Sequence, residues 1–135
     1  MTVTYTTAVK TPRMQVMADL VASRTISAAT GTATAGQLVI GTGALSGGTG
    51  VLATIALPAT AFTVSGTVAT LQGVPLSATA SATGTAALAE FRNNAATTVI
   101  SGLTVGTSGS DINLNSTSIT SGQTVTITAG TITHG

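Results

Sequence analysis

The chain has no cysteine or tryptophan, and it has few aromatic or charged residues. The absence of cysteine excludes disulfides, thiolate nucleophiles and cysteine-based metal sites. Three aromatic residues, Tyr5, Phe62 and Phe91, are too few for base-stacking surfaces or aromatic ligand cages. Asp, Glu, Lys and Arg make up 5% of the 135 residues, whereas soluble domains usually devote about a quarter to them. Because so little charge gives weak self-repulsion, we expect the chain to associate with its own copies.

The few charges are also unevenly placed. Residues 25–89 carry none, and three of the four basic residues, Lys10, Arg13 and Arg24, lie near the N-terminus. With a net charge of +1, this pattern is too weak to recruit nucleic acid, so we expect no such partner. Mean hydropathy is +0.54, but Thr and Gly interrupt every apolar run well before 18 residues, so we expect no membrane association. The first ten residues also lack the apolar core of a signal peptide.

At 13.0 kDa the chain is expected to be a single domain, 1–135, with one short helix. Thr11 is a candidate N-cap and Pro12 suits the first helical position. Met14, Met17, Leu20 and Val21 then recur at helical spacing, which predicts a helix over 12–24 that packs an apolar stripe on a sheet.

From residue 25 onward the pattern changes to short apolar runs separated by Gly, Ser and Asn, with many β-branched threonines. This spacing predicts an all-β fold, an antiparallel β-sandwich or jelly roll over 25–135. The predicted strands are Gln37–Ile40, Val51–Leu57, Ala61–Val64, Val68–Leu71, Ala86–Phe91, Thr98–Val105, Asp111–Asn115 and Gln123–Thr128 with Ile132.

The motifs that could support chemistry are incomplete. Gly41–Gly47 resembles a phosphate-binding loop, but a strand-like segment follows it where a helix is needed, so we interpret it as a surface loop. Asp111, Asn113 and Asn115 match half of a calcium loop; alternatively they are the polar face of a strand, with weak ion binding between subunits left open. One histidine, His134, and three carboxylates do not make a zinc site or catalytic triad. We therefore expect no enzyme activity, no metal and no cofactor.

The Glu90-Phe91-Arg92 segment is interpreted as a strand with Phe91 in the core and two opposite charges outside. A functional alternative is that Glu90 and Arg92 form ion pairs across a subunit contact.

A run near the C-terminus and two shorter segments share a family pattern. They are Arg13-Met14; Phe91-Arg92 with Val99, Gly102 and Val105; Val105-Gly106-Thr107-Ser108-Gly109-Ser110-Asp111-Ile112-Asn113-Leu114-Asn115; Ser118-Ile119; Gly122; Thr124-Val125-Thr126; and Thr131-Ile132-Thr133-His134-Gly135. Together they resemble a family of small structural proteins of tailed-bacteriophage virions. Relatives often carry an aromatic residue where this chain has Glu90. The resemblance implies residence in the virion and brings no catalytic or cofactor residues.

Composition and resemblance together predict an accessory structural protein of a bacteriophage particle, assembled in the bacterial cytoplasm. The preferred role is a capsid decoration (cement) protein that binds the major capsid protein or other virion proteins. We expect a homo-oligomer, a trimer if the subunit occupies three-fold positions as decoration proteins often do. The alternatives are a collar, neck or tail-sheath-like component and, in a different class, a Thr-rich carbohydrate- or ice-binding β-module.

The first ten residues are predicted to form an extended arm, because their threonines favour extended backbone and a helix follows. Such an arm can pair with a sheet edge of a neighbouring subunit. An edge strand of the same sandwich is the alternative. The predicted intersubunit contacts are Thr2, Val3, Thr4, Tyr5, Thr6 and Thr7, together with Glu90 and Arg92.

Overall fold

The computed structural model describes residues 6–22, 34–43, 45 and 50–133, which form one helix and eleven strands. The helix, α1, spans Thr7–Val21. The strands are β1 Gln37–Gly41, β2 Val51–Ala56, β3 Phe62–Ser65, β4 Val68–Leu71, β5 Leu76–Thr79, β6 Gly84–Thr85, β7 Leu88–Arg92, β8 Thr98–Gly106, β9 Ile112–Leu114, β10 Ser118–Ile119 and β11 Thr124–Thr133.

The helix starts earlier than the sequence predicts. Thr6 is the N-cap with extended backbone, and Pro12 lies inside the helix. Thr11, predicted to cap it, instead donates its hydroxyl to the carbonyl of Gly66 in the β3–β4 turn. This tertiary contact uses the side chain that local capping rules would place at the helix start. The extended-arm prediction is therefore wrong for residues 7–10, and residues 1–5 lie outside the described residues.

The strands build one mixed nine-stranded sheet and a small two-stranded one. Eight strands follow the order β2, β1, β7, β8, β9, β11, β4, β3, and β5 also pairs with β11. Ile127 of β11 pairs with Leu76 of β5 on one side and with Leu114 of β9 on the other. The sheet curls, since Ser81, just after β5, donates its N–H to the carbonyl of Leu52 in β2 at 2.8 Å. The predicted all-β fold with one short helix is confirmed; the sandwich or jelly-roll arrangement stays a prediction.

One strand pair is parallel. Val105 of β8 pairs with Ile112 of β9, and residues 107–111 alone connect the two strands. Parallel neighbours usually need a crossover of about a dozen residues or more. Here Asp111 holds the short connection, because its Oδ2 accepts from both the N–H and the hydroxyl of Thr104 at 3.0 Å. The N–H of Asp111 donates back to the Thr104 hydroxyl at 3.1 Å.

The core is aliphatic around one aromatic pair. Phe91 is fully buried and its ring meets the ring of Phe62 edge to face, with centroids 4.9 Å apart. Met14, Ala18 and Val21 from α1 are buried in the same cluster, so the helix covers this part of the sheet as its apolar spacing predicts. Burying each large side chain contributes about 1.5–3 kcal/mol.

Candidate functional site

The candidate site lies where β7 and β8 pair irregularly. Four residues of β7, Ala89–Arg92, lie opposite six residues of β8, Thr98–Leu103, so β8 bulges. Gly102 has a φ of +75°, a backbone conformation that glycine adopts without steric cost. Bulges often redirect side chains beside functional sites. Here Ser101 and Gly102 lie opposite Glu90.

Glu90 is buried, contrary to the expectation that it lies outside. Its side chain is 7% exposed and that of Arg92 is 19% exposed, and the two form an ion pair. Thr98 donates its hydroxyl to Glu90 Oε1 at 3.3 Å. Phe91, which lies between Glu90 and Arg92 in sequence, points to the opposite face and lies in the core as predicted. The Glu90–Arg92 ion pair forms within one chain. That either residue also contacts a neighbouring subunit stays a prediction.

Glu90 is buried because both its flank and the space above it are covered. On its flank it pairs with Val39 of β1, which is fully buried. Above it, the segment after β1 brings in Leu45, whose carbonyl accepts from Arg92 Nη2 at 3.3 Å. Leu45 approaches so closely that a methyl group on Gly41 would contact its side chain, and would lie 2.7 Å from the carbonyl oxygen of Gly50. Leu45 thus covers this part of the β1–β7 face, and the next element along the chain is the strand β2, where a phosphate loop would require a helix.

An open pocket of about 400 Å³ adjoins the ion pair. Its polar lining residues are Glu90 on β7 and Thr98 and Ser101 on the bulged strand, and Leu45 and Leu88 supply apolar surface. The full lining is Gly43, Leu45, Leu88, Ala89, Glu90, Thr98, Ser101 and Gly102. A second cavity, beside Asp19 and Phe62, measures about 30 Å³ and is too small for a ligand.

The candidate calcium segment is used structurally. Ile112 and Leu114 are buried, so the predicted alternation is confirmed. Asp111 binds Thr104 as described above, Asn113 Oδ1 accepts from the N–H of Ser110 at 3.1 Å, and Asn115 Oδ1 accepts from the N–H of Thr126 at 3.2 Å. Within the described ranges, no three His, Cys, Asp or Glu side chains come together as metal ligands.

Of the other predicted site residues, the structure describes two, Thr6 and Thr7. Thr2, Val3, Thr4, Tyr5 and His134 lie outside the described residues. Thr6 is the exposed N-cap of α1, and Thr7 is its first residue. The sequence pattern alone does not single out Thr98, Ser101 and Gly102 as pocket residues. An available signal was Gly102, because an isolated glycine in a strand pattern often marks a bulge.

No protein-family model, curated protein or solved structure matches the chain. Across the part of the chain that the structure describes, no helix is long and apolar enough to cross a membrane.

Proposed function

We propose that this chain is an accessory structural protein of a bacteriophage particle, specifically a capsid decoration protein. It would bind the major capsid protein or other virion proteins and its own copies. The resemblance to small virion proteins supports this proposal. The structural observation that carries it is an uncharged hydroxyl-rich surface on the strand-forming part of the chain.

Each charged side chain of this part has a partner within the chain. Residues 34–133 contain three charged side chains, and each has a partner in the same chain. Glu90 and Arg92 pair with each other, and Asp111 binds Thr104. A partner surface therefore meets hydroxyl and methyl groups, and contact requires no desolvation of an unpaired charge.

One face is particularly regular, and we name it the threonine face. Thr63 of β3 pairs with Thr70 of β4, which pairs with Thr131 of β11, so the three lie in one row across neighbouring strands. Ser65 and Thr133 extend this face one step along β3 and β11. All five side chains are exposed, whereas Phe62 and Leu71 are buried on the opposite side of the sheet.

A decoration subunit stabilises a shell by adding buried contact area to the assembled state. Binding to the assembled form alone shifts the equilibrium toward it by mass action. Specific interfaces bury about 1,200–2,000 Å² in total, and a neutral face of threonines supplies both methyl surface and hydrogen-bonding groups.

The test is co-sedimentation with phage particles that lack the protein. Wild-type chain should bind, with an affinity that changes less than about threefold between 50 and 500 mM salt, because screening acts on charges. Thr70→Lys should weaken binding by about tenfold or more, since it places an unpaired ammonium in the centre of the threonine face. The control is Thr107→Lys, the same change at an exposed loop position away from this face.

Two outcomes would overturn the proposal. One is that the wild-type chain stays monomeric and does not bind particles, and the other is that Thr70→Lys and Thr107→Lys bind particles equally well. Localising the subunit in a particle reconstruction distinguishes a decoration protein from a collar, neck or tail-sheath-like component.

Ice binding is the second candidate, because the fold aligns Thr63, Thr70 and Thr131, which are scattered in sequence. Strands are about 4.8 Å apart, so the row is regular. However, the next row runs Ser65, Val68, Thr133, and a valine interrupts it. Thermal hysteresis of a millimolar solution, lost in Thr70→Lys, would establish this alternative.

A further inference from the structure

The carboxylate of Glu90 is satisfied on one side only. Arg92 and the hydroxyl of Thr98 contact Oε1. Among the described residues no group donates to Oε2. The side chain is more than nine-tenths buried, and it lines the pocket at the bulged β7–β8 pair. A buried acceptor without a donor is unfavourable, so this oxygen favours a ligand that donates a hydrogen bond.

The charge of the pocket selects a neutral ligand. Glu90 and Arg92 cancel each other, and both lie at the same site. A cationic ligand at Glu90 Oε2 would be close to the guanidinium of Arg92, and an anionic ligand would be close to the carboxylate. An uncharged hydroxyl or amide group meets neither penalty.

The lining matches a ligand that alternates hydroxyl and C–H groups. The Thr98 hydroxyl donates its hydrogen to Glu90 Oε1 and can accept from a ligand, whereas the Ser101 hydroxyl can accept and donate. Leu45 and Leu88 offer aliphatic surface. The volume of about 400 Å³ falls within the range of small-molecule sites. We propose that this pocket binds one neutral saccharide unit, with a sugar hydroxyl donating to Glu90 Oε2 and others bonding to Thr98 and Ser101.

None of the described residues that line the pocket is aromatic, so we expect weak binding. We expect dissociation constants of about 1–10 mM, ordinary for a ligand of about a dozen heavy atoms. The inference does not depend on the proposed role in a particle, since the free chain is titrated without capsids.

The experiment is titration of the isotope-labelled chain with glucose, galactose and N-acetylglucosamine, followed by amide chemical shifts. Saturable shifts should centre on residues 88–90 and 98–102 for at least one sugar. Glucosamine and glucuronate, the cationic and anionic probes, should bind about tenfold more weakly than the best neutral sugar because of the neutral ion pair.

Ser101→Leu fills the pocket from an exposed strand position, and Ser118→Leu on β10 is the matched control, at an exposed strand position outside both the pocket and the threonine face. Ser101→Leu should abolish the shifts while leaving the melting temperature within a few degrees of wild type; Ser118→Leu should leave both unchanged. The proposal is overturned if no sugar shifts the pocket amides by 50 mM, if charged sugars bind equally well, or if Ser101→Leu still binds. It is also overturned if the same amides shift with protein concentration alone and Ser101→Leu stops that shift, because a neighbouring subunit's side chain is then the occupant.

Discussion

Breaking the Glu90–Arg92 pair should cost far more than replacing it. Glu90 is 7% exposed and Arg92 is 19% exposed, so the carboxylate has less access to water than the guanidinium. Arg92→Leu leaves a buried carboxylate with the Thr98 hydroxyl as its remaining donor. Removing one partner of a buried pair typically costs about 3–5 kcal/mol, and partial exposure places this case near 3 kcal/mol.

The reverse change should be milder. Glu90→Leu leaves Arg92, which is more exposed and still donates to the carbonyl of Leu45, so we expect a cost of about 1–2 kcal/mol. The double variant Glu90→Leu/Arg92→Leu removes both charges and should lie within about 1 kcal/mol of wild type. The coupling between the two sites is therefore large and favourable in the wild-type chain.

The assay is urea unfolding followed by far-ultraviolet circular dichroism, since the chain has no tryptophan. For a chain of this size, about 3 kcal/mol corresponds to a fall of roughly 10 °C in melting temperature. The reasoning is refuted if Arg92→Leu costs less than about 1 kcal/mol, or if the double variant is as unstable as the sum of the single variants.

Substitutions at three further positions test the fold by thermal unfolding. Phe91→Ala removes the edge-to-face contact with Phe62 and should cost about 3–5 kcal/mol; a loss below about 2 kcal/mol would contradict the burial of this ring. Ala96 has a φ of +62°, which glycine adopts more easily than alanine, so Ala96→Gly should stabilise the fold by about 0.5–1 kcal/mol. Ala96→Val should destabilise the fold for the same reason. Equal effects of the two variants would argue against that backbone conformation. Asp111→Ala should cost about 1–2 kcal/mol because two hydrogen bonds from Thr104 are lost. Asp111→Asn keeps an acceptor oxygen and should cost less. If Asp111→Asn were the more destabilising variant, Asp111 would not hold the β8–β9 connection by accepting from Thr104.

The saccharide pocket and the threonine face are independent surfaces. The pocket is lined by residues of β7, β8 and the segment after β1, whereas the face lies on β3, β4 and β11. Ser101→Leu and Thr70→Lys therefore separate the two proposals, because each variant should impair one kind of binding and leave the other intact.

Local pattern was sufficient for many of the secondary-structure elements. A short, mostly apolar run predicts β4, and the observed strand, Val68–Leu71, has the predicted bounds. The apolar spacing of Met14 and Val21 predicts a helix, and both residues are buried. Such features depend on side chains a few positions apart, whose periodicity can be seen in the sequence.

Other features depend on partners that are distant in sequence. The β6 and β10 strands have two residues each, so their pairing with each other, rather than a pattern of their own, defines them. Likewise, Thr11 contacts Gly66, 55 positions away, so the capping pattern misplaced the helix start.

The candidate site shows the same division. The alternation of Glu90, Phe91 and Arg92 follows from the strand period of two, so the sequence alone determined that Phe91 faces one side and both charges face the other. The burial of Glu90 was decided by tertiary structure, because it requires Val39 at its flank, Leu45 above it and the bulge of β8 opposite. Leu45 lies 47 positions from Arg92, and no local pattern records that contact. Composition determined that the chain would carry little charge, whereas folding decided that Glu90 and Arg92 would pair in a buried site and that three scattered threonines would form a row.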